Sequence, residues 1–308
     1  MRQRLFEVDD WHIKTSELNK EDRRLAESLT SIGNGYMGMR GNFEEGYSGD
    51  SHQGTYLAGV WYPDKTRVGW WKNGYPDYFG KVINALNFIG IGIEINGSKL
   101  DLYTDEVQSF EQNLDMKHGI LSRRFTVIKD KARYLVETER LLSIAVPELA
   151  LIHYAITPLD GDAEILFVPF LDGNVHNEDA NYEEMFWEAR GEGSKAGMEF
   201  LTTETIPNDF GIERFRVHAL QATEMVGNIL EVSENQHALY AEKRLLVQAK
   251  QAEMVSLEKR VVITTSRDGA DLAERAEGSW RVKERKITEQ CGRNIPKLGK
   301  LAGKKQML

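Results

Sequence analysis

From about residue 85 onward, hydrophobic and polar side chains alternate with a period of two, the spacing that sets one face of a β-strand on a core and the other in water. In the stretch 239–250, Leu239, Ala241, Leu245 and Val247 fall on one side, while Tyr240, Glu242, Arg244, Gln248 and Lys250 fall mostly on the other. Val255, Leu257, Val261 and Ile263 resume the pattern after a few polar residues, which predicts an antiparallel hairpin. The same reasoning pairs 121–128 with 132–143 across Lys129-Asp130-Lys131, and 149–157 with 164–170 across 158–162. A strand over 88–95 runs into Asn96-Gly97, a strong short-range turn signal, with 99–103 returning. Many short strands punctuated by turn residues predict a mainly all-β chain, folded as a large antiparallel β super-sandwich. Helical patterning is scarce until residues 268–277, where good helix formers follow an Asp. The expected division is a sandwich domain over 1–267 and a partial helical linker with a divergent basic tail over 268–308.

Glycine and aromatic residues concentrate between 33 and 92. Gly33-Asn-Gly-Tyr-Met-Gly38 has the spacing of a dinucleotide fingerprint, but further glycines follow it where a helix is required, so no phosphate loop is expected. Trp61, Trp70, Trp71, Lys72, Asn73 and Tyr75 form the candidate substrate-binding set. Sugars offer C–H faces that stack on rings, with hydroxyls for neighbouring polar groups; the competing role for the same rings is to fill a core or an interface. Asp172-Gly-Asn-Val-His176 mixes polar groups on a predicted loop and suits either a sugar-binding surface or an interdomain contact. No two of the seven histidines lie three or four residues apart, so no metal site is expected. His153 and His218 sit on strand patterns, with no carboxylate assigned to either as an acid–base partner.

Charge divides the chain. Residues 280–308 hold nine Lys/Arg against Glu284 and Glu289, a local +7, which leaves −16 on the rest of a chain whose net charge is −9. An acidic body repels phosphate backbones, so no nucleic acid is expected as partner. No apolar run approaches the roughly 20 residues that a bilayer needs, and no apolar leader follows the basic start, so no membrane partner is expected. A single cysteine, Cys291, excludes an intrachain disulfide and fits a reducing, cytoplasmic setting.

Trp11, the block 27–45 with its Gly-Asn-Gly-Tyr-Met-Gly-Met-Arg-Gly-Asn-Phe-Glu-Glu run, and the block 54–64 resemble the start of glycoside hydrolase family 65. The same holds for Gly69-Trp-Trp-Lys-Asn-Gly-Tyr75, Ile95-Asn-Gly97 and Leu114-Asp-Met-Lys-His-Gly-Ile-Leu121. The likeness runs to about Asp268. It implies an N-terminal super-sandwich of the galactose mutarotase-like type, followed in the family by helices, an (α/α)6 barrel and a small C-terminal sheet. The implied reaction is inverting phosphorolysis of an α-glucoside to β-glucose 1-phosphate and glucose. Inorganic phosphate is its co-substrate and no cofactor is required. The family's catalytic groups lie in the barrel, so no catalytic residue carries over, and the chain alone is expected to be inactive. The basic end from about 279 departs from the family's linker and reads as a truncation, a shifted frame or a divergent tail. The expected partners are the barrel domain, a small sugar and a second copy, through self-association along 54–78. The alternative is a free-standing carbohydrate-binding module.

Overall fold

The computed structural model describes residues 4–67, 74–178 and 184–280. Alternation becomes two stacked antiparallel sheets. The larger has ten strands, in spatial order Glu7–Val8, His12–Thr15, Glu106–Asp115, Ile120–Lys129, Ala132–Leu142, Leu149–Pro158, Val255–Thr265, Arg216–Val226, Met198–Thr205 and Trp187–Lys195. The smaller has five, ordered Asn228–His237, Tyr240–Ala249, Ala163–Asp172, Ile91–Ile95 and Ser98–Lys99. Their inner faces form one core. Phe125, Val136, Tyr154 and Leu257 come from the large sheet, and Ile93, Ile165, Phe167 and Val247 from the small one. The Tyr154 and Phe167 rings meet edge-on across the layers at 6.3 Å. Full burial of each such side chain contributes about 1.5–3 kcal/mol. The super-sandwich expected from the pattern is therefore present, with two small sheets added, Ile32–Gly33/Met37–Met39/Thr55–Leu57 and Trp61–Lys65/Tyr78–Val82.

Two of the four expected hairpins form. Lys129 pairs Ala132 around Asp130 and Lys131, both at positive φ, and Ile95 pairs Ser98 around Asn96 and Gly97. That left-handed pair of central residues matches the twist of the flanking strands. The other two connections do not close hairpins. Leu149–Pro158 and Ala163–Asp172 lie in opposite sheets, as do Tyr240–Ala249 and Val255–Thr265. A short polar link spans the roughly 10 Å between layers as easily as it reverses a strand, so period and loop length alone do not distinguish the two. The returning Val255–Thr265 strand lies between Leu149–Pro158 and Arg216–Val226 and joins the two halves of the large sheet.

One helix lies outside the sequence expectation, Arg23–Leu29, with Arg23, Ala26 and Glu27 buried. A second, over 272–280, opens with Asp271 Oδ1 accepting the Glu274 amide at 3.1 Å. It lays Ala276 and Trp280 on Leu151, Leu220 and Val262, on the outer face of the large sheet.

Candidate functional site

The glycine-rich block is a scaffold. Asn34 Oδ1 accepts the Tyr36 and Met37 amides, and its Nδ2 donates to the Ser143 and Pro147 carbonyls at 2.7 and 2.8 Å. A turn tied in this way leads into short strands, so it offers no helix N-terminus to a phosphate. Beyond it the chain runs into the sandwich interior, where Arg123 and Arg140 replace apolar residues on the inner face. Arg123 donates to both Glu45 oxygens at 2.7 and 2.6 Å, and also to Glu44. Arg140 donates to Glu44 Oε1 at 3.1 Å and to the Asn42 and Arg40 carbonyls. Phe43 is held between the guanidinium groups of Arg23 and Arg123, 3.6 and 4.1 Å from its ring centroid. Burial works to depress the Arg123 pKa, but Glu45 and Glu44 outweigh it and hold the group above the ordinary guanidinium value. Burial opposes ionisation of Glu44 as well, and Arg123 with Arg140 overcomes it, lowering that carboxyl. Gly41 completes the fit, because a Cβ there would meet Thr30 Oγ1 at 1.9 Å.

This anchor places a polar cavity of about 370 Å³ at the loop end of the sandwich. Residues 51–53 form one wall, Asn84 and Asn87 another, and the segment from Asp172 to Glu178 a third. Glu27, fully buried, holds the first wall by accepting from Ser51 Oγ at 2.6 Å and the His52 amide at 2.9 Å. Asn84 is the hub. Its Nδ2 donates to Gln53, its amide donates to Asn177 Oδ1 at 2.8 Å, and its carbonyl accepts from Trp187 Nε1 at 2.7 Å. Asn87 and Asp172 exchange backbone hydrogen bonds at 2.7 and 3.0 Å, and Asp172 Oδ1 takes the Asn174 amide at 2.8 Å. Burial, with Arg40 nearby, lowers the His52 pKa and so favours the neutral imidazole. Amides, two carboxylates and two imidazoles lining one concavity can accept and donate to a hydroxyl-rich ligand. They supply no activated nucleophile.

The aromatic hairpin lies alongside, where Asn177 Nδ2 donates to the Val82 carbonyl. Trp61 is half-buried, stacked on Tyr78 at 6.2 Å and against Phe215 at 6.1 Å. Tyr75 is exposed, edge-on to Phe79 at 6.2 Å. Trp70, Trp71, Lys72 and Asn73 lie outside the described residues. The sequence reading reached the stretch from Asp172 to His176, and the structure adds Ser51, His52, Gln53, Asn84 and Asn87 to it. The available signal was Asn84 and Asn87 interrupting an apolar run, Ile83-Asn-Ala-Leu-Asn-Phe88. His218 serves packing instead: it is buried, stacked on Phe200, and bonded to Thr202 Oγ1 at 2.8 Å.

These features define a large antiparallel sandwich domain with a polar, loop-built cavity at one end. The model of the glycosyl hydrolase family 65 N-terminal domain matches residues 13–295, and the chain belongs to that family. The match continues past residue 279 into the basic end, which the sequence sets apart from the family's linker. Over 269 residues the chain is 56% identical to the maltose phosphorylase of Bacillus subtilis (strain 168), covering 87% of this chain and 35% of that protein. Over 181 residues it is 30% identical to the alpha,alpha-trehalose phosphorylase of Thermoanaerobacter brockii, covering 56% of this chain and 23% of that protein. The chain thus spans about a third or less of the length of these relatives. A solved structure described as a kojibiose phosphorylase from the human microbiome superposes with a TM-score of 0.80 at 21% identity, over 96% of this chain and 37% of that one. At that identity the likeness establishes the fold. Among the described residues no helix is long and apolar enough to cross a membrane.

Proposed function

We propose that this chain is the non-catalytic sandwich domain of a maltose-type phosphorylase in carbohydrate metabolism. The 56% identity to the Bacillus subtilis protein carries the reading. In the reaction proposed for the whole enzyme, a general acid protonates the glycosidic oxygen. Inorganic phosphate attacks the anomeric carbon from the opposite face, which inverts it and yields β-glucose 1-phosphate and glucose. Phosphate is then the nucleophile, so no cofactor and no separate general base are needed. The sandwich holds its loop end against a helical barrel, with Trp61 and Tyr75 on the side that meets sugar or barrel. The polar cavity, with Asn84 and Asn177 already fixed by hydrogen bonds to each other and to the Gln53 and Val82 carbonyls, gives that docking surface its rigidity.

A chimera tests this. Residues 13–267 replace the corresponding segment of the Bacillus subtilis enzyme, and phosphate-dependent glucose release from maltose is followed. The chimera is expected to turn over and the 308-residue chain alone to be inert. Turnover by the chain alone, or a folded but inactive chimera, overturns the reading.

A further inference from the structure

The glycine-rich block also reaches the point where the chain leaves the sandwich. Val255–Thr265 is the last strand, and Thr265 pairs with Val217 at the same end of the large sheet as Trp187. The Trp187 indole donates to the Asn84 carbonyl of the loop-end cavity, so exit and cavity share one end of the molecule. In the turn that follows, the Asp268 carboxylate accepts the Tyr36 hydroxyl at 2.5 Å, the Thr265 hydroxyl at 2.9 Å and the Thr265 amide at 3.1 Å. Arg267 donates to the Ala58 carbonyl, and Gly59, at a φ of +71°, leaves the space that its guanidinium fills. The Ala58 amide in turn donates to the Tyr36 carbonyl at 2.9 Å. Two joined points of the block thus grip two neighbouring residues of the exit turn.

Three observations separate this grip from incidental surface contact. The Tyr36–Asp268 bond joins residues 232 apart in the chain and is half-buried, and burial opposes ionisation of Asp268. The bonds from Tyr36 and Thr265 outweigh that burial and hold the carboxyl below its ordinary value, so the phenol donates to a charged acceptor, the stronger kind of hydrogen bond. The helix over 272–280 starts from the same turn. Arg275 donates to the Asp268 carbonyl, and Thr264 Oγ1 donates to the Leu272 carbonyl at 2.9 Å. Lastly, one short strand joins exit and cavity. Thr55–Leu57 leads from Gln53, in the cavity wall, to Ala58. Thr55 is locked by its amide, which donates to Asn84 Oδ1, and by its hydroxyl, which donates to the Ala85 carbonyl, both at 2.8 Å. At about 3.3 Å per residue, Gln53 and Ala58 stand at most about 17 Å apart.

We propose that the glycine-rich block is a two-point mount. One end holds the cavity and the other holds the exit turn, so the block fixes the direction in which the chain leaves the sandwich. On the function proposed above, the same mount sets the angle at which the barrel meets the loop end. Tyr36, Arg267 and Asp268 are its positioning residues and act through that geometry.

Amide hydrogen exchange on the 308-residue chain reads the mount directly. Tyr36→Phe is expected to speed exchange over 272–280 about tenfold, as loss of one charge-assisted bond requires. Asp268→Ala speeds it at least as much, and the double variant no more than Asp268→Ala alone, while Ile120–Lys129 keeps the parent's rate in all three. Tyr62→Phe, which removes a hydroxyl bond to the Pro207 carbonyl, leaves 272–280 unchanged. In the chimera extended to residue 280, Tyr36→Phe lowers kcat about tenfold at an unchanged Tm, and Asp268→Asn, which still accepts a hydroxyl donor, keeps more activity than Asp268→Ala. Parent-like exchange in Tyr36→Phe and Asp268→Ala, equal acceleration by Tyr62→Phe, or a Tyr36→Phe chimera with the parent's kcat overturns the proposal. An inactive parent chimera overturns the function proposed above, and the mount then stands or falls on exchange.

Discussion

Glu45→Gln is the sharpest probe of what holds the loop end in place. In the parent, Glu45 makes a two-pronged pair with Arg123, and both side chains are at most 2% exposed. The substitution preserves shape and removes one charge. Arg123 would then share its remaining direct carboxylate partner, Glu44, with the buried Arg140. Leaving a buried charge short of its partner costs about 3–5 kcal/mol. At about 2–4 °C per kcal/mol for a domain of this size, Tm should fall by roughly 6–20 °C. Urea unfolding followed by tryptophan fluorescence reads the loss as a lower midpoint at constant slope. Arg123→Met in the Glu45→Gln background separates charge from packing: with the stranded cation gone, the double variant should lose less than the sum of the singles, by about 0.5–3 kcal/mol. If Glu45→Gln lies within about 1 kcal/mol of the parent, or the two changes simply add, the network is not what fixes the loops.

Gly41→Ala should lower stability by about 1–3 kcal/mol in thermal unfolding, because its methyl group would occupy the space of Thr30 Oγ1 and the surrounding backbone must move. His218 yields a pH signature. Burial lowers its pKa from 6.5 to about 4, so the folded state prefers the neutral ring. The stabilisation is fully present above 6.5 and drains away as pH falls toward 4, a change of about 3 kcal/mol. His218→Phe should flatten that part of the stability–pH curve, and an unchanged slope would refute the assignment. Tyr75 and Phe79 stand exposed in edge-on contact on the aromatic hairpin, and Val82 on the same strand is 63% accessible. The chain should therefore self-associate in light scattering, and Phe79→Ser with Val82→Ser should return it to monomer. A parent that is monomeric at high concentration would contradict this.

What the sequence shows and what it hides divide along physical lines. A turn is a local event. Asp130-Lys131 and Asn96-Gly97 adopt the left-handed pair that closes a hairpin, and the residues themselves carry that preference. Whether a strand returns to its own sheet or crosses to the opposite one is decided by partners far away in the chain, so the links at 158–162 and 250–254 gave no local warning. The candidate site is divided in the same way. The stretch from Asp172 to His176 was legible as a polar loop, whereas its union with residues 51–53 and Asn84 depends on the tertiary fold.

The buried charges carry the larger lesson. Arg123 falls in phase with Leu121, Phe125 and Val127, Arg140 with Val136 and Leu142, and Lys259 with Leu257 and Val261. A reading that assigns faces by polarity treats such residues as exceptions or as breaks in the strand. In the folded chain each remains in phase, because a distant segment brings its counterpart inside: Glu44 and Glu45 for the arginines, and the Gly90 and Phe170 carbonyls, 2.8 and 2.7 Å away, for Lys259 Nζ. Lys259 is the extreme case, since full burial drives its pKa well below the ordinary value despite the nearby Glu199. An in-phase cation on an otherwise apolar face therefore signals that something irregular packs there. At the loop end that something is the segment that fixes the polar cavity, and at Lys259 it is the Gly90 and Phe170 carbonyls of the facing sheet, beside Pro169.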